Sequence, residues 1–207
     1  VKEHLGNVVD THSLSIPDII INVANTPTPS PTPTAGARTL WAWGRNSYGA
    51  LGDGNQATTR VTPNQESTGA DNWSQIAVGD DHTVALKSDG TLWGWGHNSD
   101  GQLGDGTTNG ITLPAQIGSG TNWSAISARY NRTVGLKSDG SMWSWGINWY
   151  GQIGDGTEEH KYVPTQEQTG STDWSKISAG DYFTVALKKD GTLWSIGYNE
   201  NGEIGDG

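Results

Sequence analysis

The stretch "LWGWGHNSDGQLGDG", residues 92–106, decides how this chain is read, because it is one copy of four. "LWAWGRNSYGALGDG" starts at Leu40, "MWSWGINWYGQIGDG" at Met142 and "LWSIGYNENGEIGDG" at Leu193, so successive copies start 52, 50 and 51 residues apart. A second block keeps step: "NWSQIAVGDDHTVALKSDG" from Asn72, "NWSAISARYNRTVGLKSDG" from Asn122 and "DWSKISAGDYFTVALKKDG" from Asp173. A variable loop followed by Pro63, Pro114 or Pro164 stands between the blocks. Self-similarity at such a period marks a chain of stacked supersecondary units.

Within one unit, Val84 and Leu86 share a strand face, Asp89-Gly90 interrupts, and Leu92 to Trp95 resumes a strand. Apolar alternation around an Asp-Gly pair predicts a hairpin with a type I′ turn. Asp139-Gly140 and Asp190-Gly191 repeat the signal. Two further short strands fit around the proline and around "WSQIAVG" (73–79), giving about four antiparallel strands per unit. The predicted fold class is all-β: a β-propeller of four-stranded antiparallel blades, about three and a half of them in this chain. Each blade supplies the wall its neighbour needs, and a Trp ring covers on the order of 200 Å² of such a wall.

Composition agrees. Of 207 residues only 32% are hydrophobic, with 30 Gly and 11 Trp against 1 Phe, so the core must come from tryptophan and β-branched residues. A net charge of −10 argues against a nucleic-acid partner, which clustered Lys and Arg would meet. The absence of Cys removes disulfides, thiolate metal sites and cysteine nucleophiles. Ile19-Ile20-Ile21, like every other apolar run in the sequence, is too short for membrane insertion.

The W-x-W-G-x-N-x-x-G-Q-L-G-D-G block, the proline after a variable loop and the W-x-x-I-x-x-G-x-x-H-T-x-A-L-x-x-D-G block resemble the regulator of chromosome condensation repeat family over residues 39 to 207. The resemblance implies a seven-bladed propeller. It is incomplete here, and the expectation is that further chain, rather than a second chain, completes the ring. The family includes a nuclear exchange factor for a small GTPase, a plant ultraviolet photoreceptor, secreted inhibitors of β-lactamase, and bacterial and phage surface proteins. The exchange factor docks on chromatin through a basic tail, whereas residues 1 to 38 here hold only Lys2 and Arg38. The photoreceptor's G-W-R-H-T motif reads "GDDHT" from Gly79, "RYNRT" from Arg129 and "GDYFT" from Gly180, without its tryptophan.

Ahead of the repeats, residues 26–38 contain the linker "TPTPSPTPT" (26–34), whose prolines impose an extended, semi-rigid path. Residues 1–25 read as a β-rich anchor segment, with Ile19, Ile21 and Val23 on one strand face within 13–25. That strand belongs either to a preceding domain or to an anchor that adds to a subunit of a virion or filament.

Most conspicuous residues are explained by folding. Asp53, Asp105, Asp155 and Asp206 come once per unit, too sparsely for calcium, and read as turn residues. Asn46, Asn98, Asn148 and Asn199 read as caps of a turn. The sequons at Asn72 and Asn122 follow the repeat; the one at Asn131 departs from it slightly. The histidines do not cluster, His97 and His160 standing at isolated variable positions, so neither a zinc site nor a Ser-His-Asp triad is expected. No metal, cofactor or catalytic residue is expected, and the protein is read as a non-enzyme.

The positions that differ between units remain as candidate binding residues: Arg45, Tyr48, His97, Asp100, Trp149, Tyr150 and Tyr198 after the Trp pairs, and Arg129, Tyr130, Tyr182 and Phe183 before the repeated Thr. Trp149 alone of the 11 tryptophans falls outside the repeated positions, which makes Trp149 and Tyr150 the leading hot spot. Anchor, linker and repeats together predict an extracellular, cell-surface or virion-surface binding module for a protein or glycan. The alternatives are a secreted enzyme inhibitor and, third, a nucleotide exchange factor.

Overall fold

A computed structural model describes residues 38–56 and 59–205. The anchor segment with Ile19, Ile21 and Val23, the "TPTPSPTPT" linker and Asp206 lie outside the described residues. The strands are β1 (Trp41–Gly44), β2 (Arg60–Gln65), β3 (Trp73–Val78), β4 (His82–Lys87), β5 (Leu92–Gly96), β6 (Ile111–Gln116), β7 (Trp123–Arg129), β8 (Arg132–Lys137), β9 (Met142–Gly146), β10 (Lys161–Gln166), β11 (Trp174–Ala179), β12 (Phe183–Lys188) and β13 (Leu193–Gly197).

They form antiparallel sheets β1-β2, β3-β4-β5-β6, β7-β8-β9-β10 and β11-β12-β13. Two complete four-stranded blades are thus flanked by two partial ones, as the repeat predicts. β3 lies beside β7 and β7 beside β11, so the first strands of successive blades adjoin. Pro63, Pro114 and Pro164 sit in β2, β6 and β10, the last strand of each blade, where a missing N–H leaves no ladder partner wanting.

The hairpins are present, but their turns differ from expectation. Gly90 N donates to Lys87 O at 3.0 Å, and Gly90 has φ +78°. Asp89 does not share the positive φ that a type I′ turn demands, since Tyr130 is the one non-glycine with positive φ among the described residues. The loop is a type I turn closed by a left-handed glycine. Asp89 earns its place through its side chain, whose Oδ1 accepts from Thr91 N at 3.0 Å and Thr91 Oγ1 at 2.7 Å.

Blades are joined by the "LGDG" loops. Trp95 and Trp145 are fully buried, and the loop of the preceding blade closes over each. Thr83 Oγ1 and Trp95 Nε1 both donate to Ala50 O at 2.8 Å, while Thr133 Oγ1 reaches Gln102 O at 2.8 Å and Thr184 Oγ1 reaches Gln152 O at 2.9 Å. A Cβ on Gly104 would stand 2.6 Å from Trp145 Nε1, so only glycine lets this loop lie flat on the ring. The letters that recur from copy to copy therefore build joints between blades.

The turn readings of Asp and Asn hold in atomic detail. Asn98 Oδ1 accepts from Leu103 N at 2.9 Å while its Nδ2 donates to Thr107 O at 3.0 Å and Asn109 O at 3.1 Å. Asp105 Oδ1 accepts from Thr107 N at 2.9 Å, and Asp53 and Asp155 close the same turn.

Candidate functional site

The strand alternation that builds the blades puts two sets of loops at the same end of each sheet: the turns β3–β4, β7–β8 and β11–β12, and the loops that follow β1, β5, β9 and β13. All the variable positions fall in or beside these loops. Stacking brings them into contact across blade boundaries. Tyr130 and Tyr182 lie 5.5 Å apart between ring centroids, Tyr150 and Tyr182 5.3 Å, Tyr150 and Tyr198 4.7 Å, and Tyr182 and Tyr198 6.2 Å, all edge to face. Four tyrosines from four separate chain segments thus form one half-exposed aromatic cluster.

Local electrostatics bind this cluster to acidic neighbours. Burial, then Tyr130 and the nearby Asp181 and Asp80, raise the Tyr182 phenol above the ordinary tyrosine range. The hydrogen bond from Tyr198 to Glu200 at 2.8 Å, then burial and Glu203, raise Tyr198 as well. Both phenols stay protonated at neutral pH and remain donors. Arg129 flanks the cluster with its Nε 2.6 Å from Asp181 Oδ1, a hydrogen bond that raises its own pKa further.

Tyr130 carries a second sign of purpose. Its φ is +50°, a conformation that a bulky side chain rarely adopts, and its carbonyl accepts from Asp80 N of the preceding blade at 3.2 Å. Strain of this kind persists where surrounding structure demands it and concentrates at working surfaces.

The remaining candidates form a second chain of contacts. Tyr48 packs on His97 at 4.3 Å, and His97 Nδ1 lies 3.0 Å from Gln102 Nε2. Asp100 accepts from Asn131 Nδ2 at 2.8 Å and stands 3.5 Å from His160 Nδ1. Trp149, 53% exposed, leans on His160 at 5.6 Å, whereas its neighbour Tyr150 joins the tyrosines. Trp149 and Tyr150 therefore belong to two different clusters, and His160 is not isolated. Arg45 is held by Asp81 at 2.6 Å. Phe183 begins β12, half-buried against Gly180, at the place of His82 and Arg132 in the two blades before it.

That place hides the residue sequence reading missed. Arg132 is fully buried without a carboxylate partner; its Nη1 donates to Gln152 O at 2.7 Å and to Thr184 Oγ1, its Nη2 to Phe183 O at 2.6 Å and Gly180 O at 3.1 Å. Burial pulls its pKa down to about 9. His82, also fully buried, contacts Thr133 Oγ1 at 3.0 Å, and burial, then His97, pulls its pKa down to about 3. Both side chains bridge one blade to the next. Their occurrence before the repeated Thr was the available signal, but a lone Arg in a repeat reads as a surface residue.

Residues 39–86, 89–134 and 139–187 match the family described as the regulator of chromosome condensation (RCC1) repeat, and 73–102 and 174–203 match a second form of the same repeat. The chain belongs to this family. Among curated relatives of the repeat, "Protein RCC2 homolog" of Xenopus laevis is 40% identical over 79 residues, 38% of this chain and 15% of its own length. "Ultraviolet-B receptor UVR8" of Arabidopsis thaliana is 32% identical over 167 residues, 81% of this chain and 26% of its own length. The chain thus spans about a quarter or less of those relatives. Two solved repeat propellers share the fold: human WBSCR16, with a TM-score of 0.69 and 24% identity over 77% of this chain and 42% of that one, and Prp20p of Saccharomyces cerevisiae, with a TM-score of 0.69 and 23% identity over 81% and 43%.

Proposed function

We propose that these repeats form a non-enzymatic binding module that holds a protein partner on the loop face through Tyr130, Tyr150, Tyr182 and Tyr198. The tyrosine cluster carries this reading. Tyrosine offers a rigid apolar ring and a polar tip at low entropic cost, and it dominates protein interfaces. The strongly displaced acidities at His82 and Arg132 are absorbed by joints between blades, so they do not argue for catalysis. Solved relatives favour a protein partner: Prp20p is described with its binding to Gsp1p and histones, and with Kap60 bound to it. Acidic residues around the rings, Asp80, Asp181, Glu200 and Glu203, favour a partner segment that brings Lys or Arg.

Display of the module on a cell or virion surface, as an extracellular protein, is part of the same proposal and rests on the linker sequence at 26–34 alone; the named relatives lend it no support. The test is capture of partners with the wild-type chain against Tyr150→Ala/Tyr182→Ala. A protein held by the wild type and lost by the variant, with an unchanged thermal transition, supports the assignment. Equal capture by both sinks it.

A further inference from the structure

The three units differ in one place that the loop face does not involve. At the entry to the second blade, Glu66 Oε1 accepts from Trp73 Nε1 at 3.3 Å and Ala70 N at 3.1 Å, while Oε2 accepts from Thr68 N at 2.6 Å. That arrangement belongs to the first junction, and the third repeats it: Glu167 Oε1 accepts from Trp174 Nε1 at 3.2 Å and Ser171 N at 2.9 Å, Oε2 from Thr169 N at 2.7 Å. In the second junction Ile117 holds the same backbone register. Its N donates to Leu92 O at 2.8 Å, as Glu66 N does to Leu40 O and Glu167 N to Met142 O. Ile117 turns its methyl groups into the core beside Leu92 and Leu103.

The tryptophan that meets the glutamate and the lysine stacked over it are kept, while the loop from Ile117 to Trp123 is one residue shorter than those from Glu66 to Trp73 and from Glu167 to Trp174. Lys137 Nζ lies 3.7 Å from the Trp143 ring centroid and 5.1 Å from that of Trp123, matching Lys87 over Trp73 and Trp93 and Lys188 over Trp174 and Trp194. Trp123 is 8% exposed, and its indole N–H has no hydrogen-bond partner among the described residues. In place of the carboxylate there is a cleft of about 350 Å³ between the second and third blades, lined by Gly118, Gly120, Trp123, Lys137, Trp143 and, on its outer lip, Val163.

We propose that this cleft receives the side chain of a glutamate presented by a partner protein, filling from outside the place that Glu66 and Glu167 fill from within. The indole N–H and the Lys137 ammonium supply the charge-assisted contacts. The volume exceeds that of a carboxylate and is apolar at its lip, so it accommodates a residue flanking the glutamate. The chain's net charge of −10 repels a free anion at long range, which favours a carboxylate carried on a segment that also gains apolar contact.

The test follows indole N–H resonances of the full chain by NMR, with that of Trp123 identified by its loss in Trp123→Phe. The probes are the peptide acetyl-Ala-Leu-Glu-Leu-Ala-amide, its Gln analogue and glutarate. The Glu peptide is expected to shift the Trp123 resonance saturably, about tenfold more tightly than the Gln peptide. Ile117→Glu is expected to move that resonance without any ligand and to abolish the response. Should Ile117→Glu fail to fold, the surface variant Lys137→Gln is expected to weaken the Glu peptide about threefold. No shift, equal binding of the Gln peptide, or no effect of Lys137→Gln overturns the proposal. Glutarate binding as tightly as the peptide overturns it too, since the cleft would then be a small-anion site.

Discussion

The ring of Tyr150 meets that of Tyr198, one blade further on, edge to face at 4.7 Å, and Tyr48 meets His97 across the corresponding boundary, tilted, at 4.3 Å. In both pairs the eighth residue after the Leu or Met that opens a copy leans on the fifth residue after the Leu that opens the next. Binding residues on this face therefore act in pairs drawn from neighbouring blades. Tyr150→Ala removes two ring contacts at the centre of the cluster and is expected to cost about 2 kcal/mol of partner binding by calorimetry. Trp149→Ala, at the edge and against His160, is expected to cost less than about 1 kcal/mol. Neither change should shift the thermal midpoint by more than a few degrees.

His82 gives the fold an acid limb. Its folded-state pKa of about 3 lies below the ordinary value of 6.5, so the unfolded chain binds a proton that the folded chain refuses. The stability it contributes is full above pH 6.5 and is lost as pH falls towards 3. The loss amounts to on the order of 4 kcal/mol. Phe183 occupies this place in the fourth blade, which makes His82→Phe a natural replacement. Urea titrations from pH 7 to pH 4 should show a steeper decline for the wild type than for His82→Phe.

Arg132 is expected to be the least replaceable polar residue. Arg132→Met leaves the carbonyls of Gln152, Gly180 and Phe183 without this donor inside the molecule, at a cost of about 3 kcal/mol. Arg132→Lys should recover little, because a single ammonium cannot span acceptors that a planar guanidinium reaches together. Arg45→Ala, which breaks an exposed ion pair with Asp81, should cost less than about 1 kcal/mol. Equal losses for Arg132→Met and Arg45→Ala in denaturant titrations would contradict the buried bridge.

Gly104 tests the joint between blades. With φ at +79° and a would-be Cβ 2.6 Å from Trp145 Nε1, Gly104→Ala meets both backbone strain and a ring that cannot move. A loss of about 3 kcal/mol is expected, against about 1 kcal/mol for Gly118→Ala, where φ is +64° and no atom lies within 4 Å.

The repeat made the blades, their Trp walls, the capping role of Asn98 and the place of the prolines legible, since each depends on neighbours along the chain. The turn at Asp89-Gly90 was misjudged because the same dipeptide suits two loops that differ in the φ of Asp89, which the side-chain bond to Thr91 settles. The tyrosine cluster was legible only as separate letters. Its members are brought together by stacking of blades, a relation no local spacing encodes. Arg132 was illegible for a different reason: an arginine is ordinarily exposed, and here the carbonyls of the next blade take the place of water.

The first three blades each end in a strand broken by proline, with Pro63, Pro114 and Pro164 all near an irregularity in register. An outermost strand that lacks a donor in mid-course cannot zip smoothly onto another chain. The outer edges of the first three blades are thereby poor templates for sheet extension. Stacking continues in the direction in which tryptophan faces tryptophan, while the proline-bearing edges of these small sheets are kept from seeding a fibre.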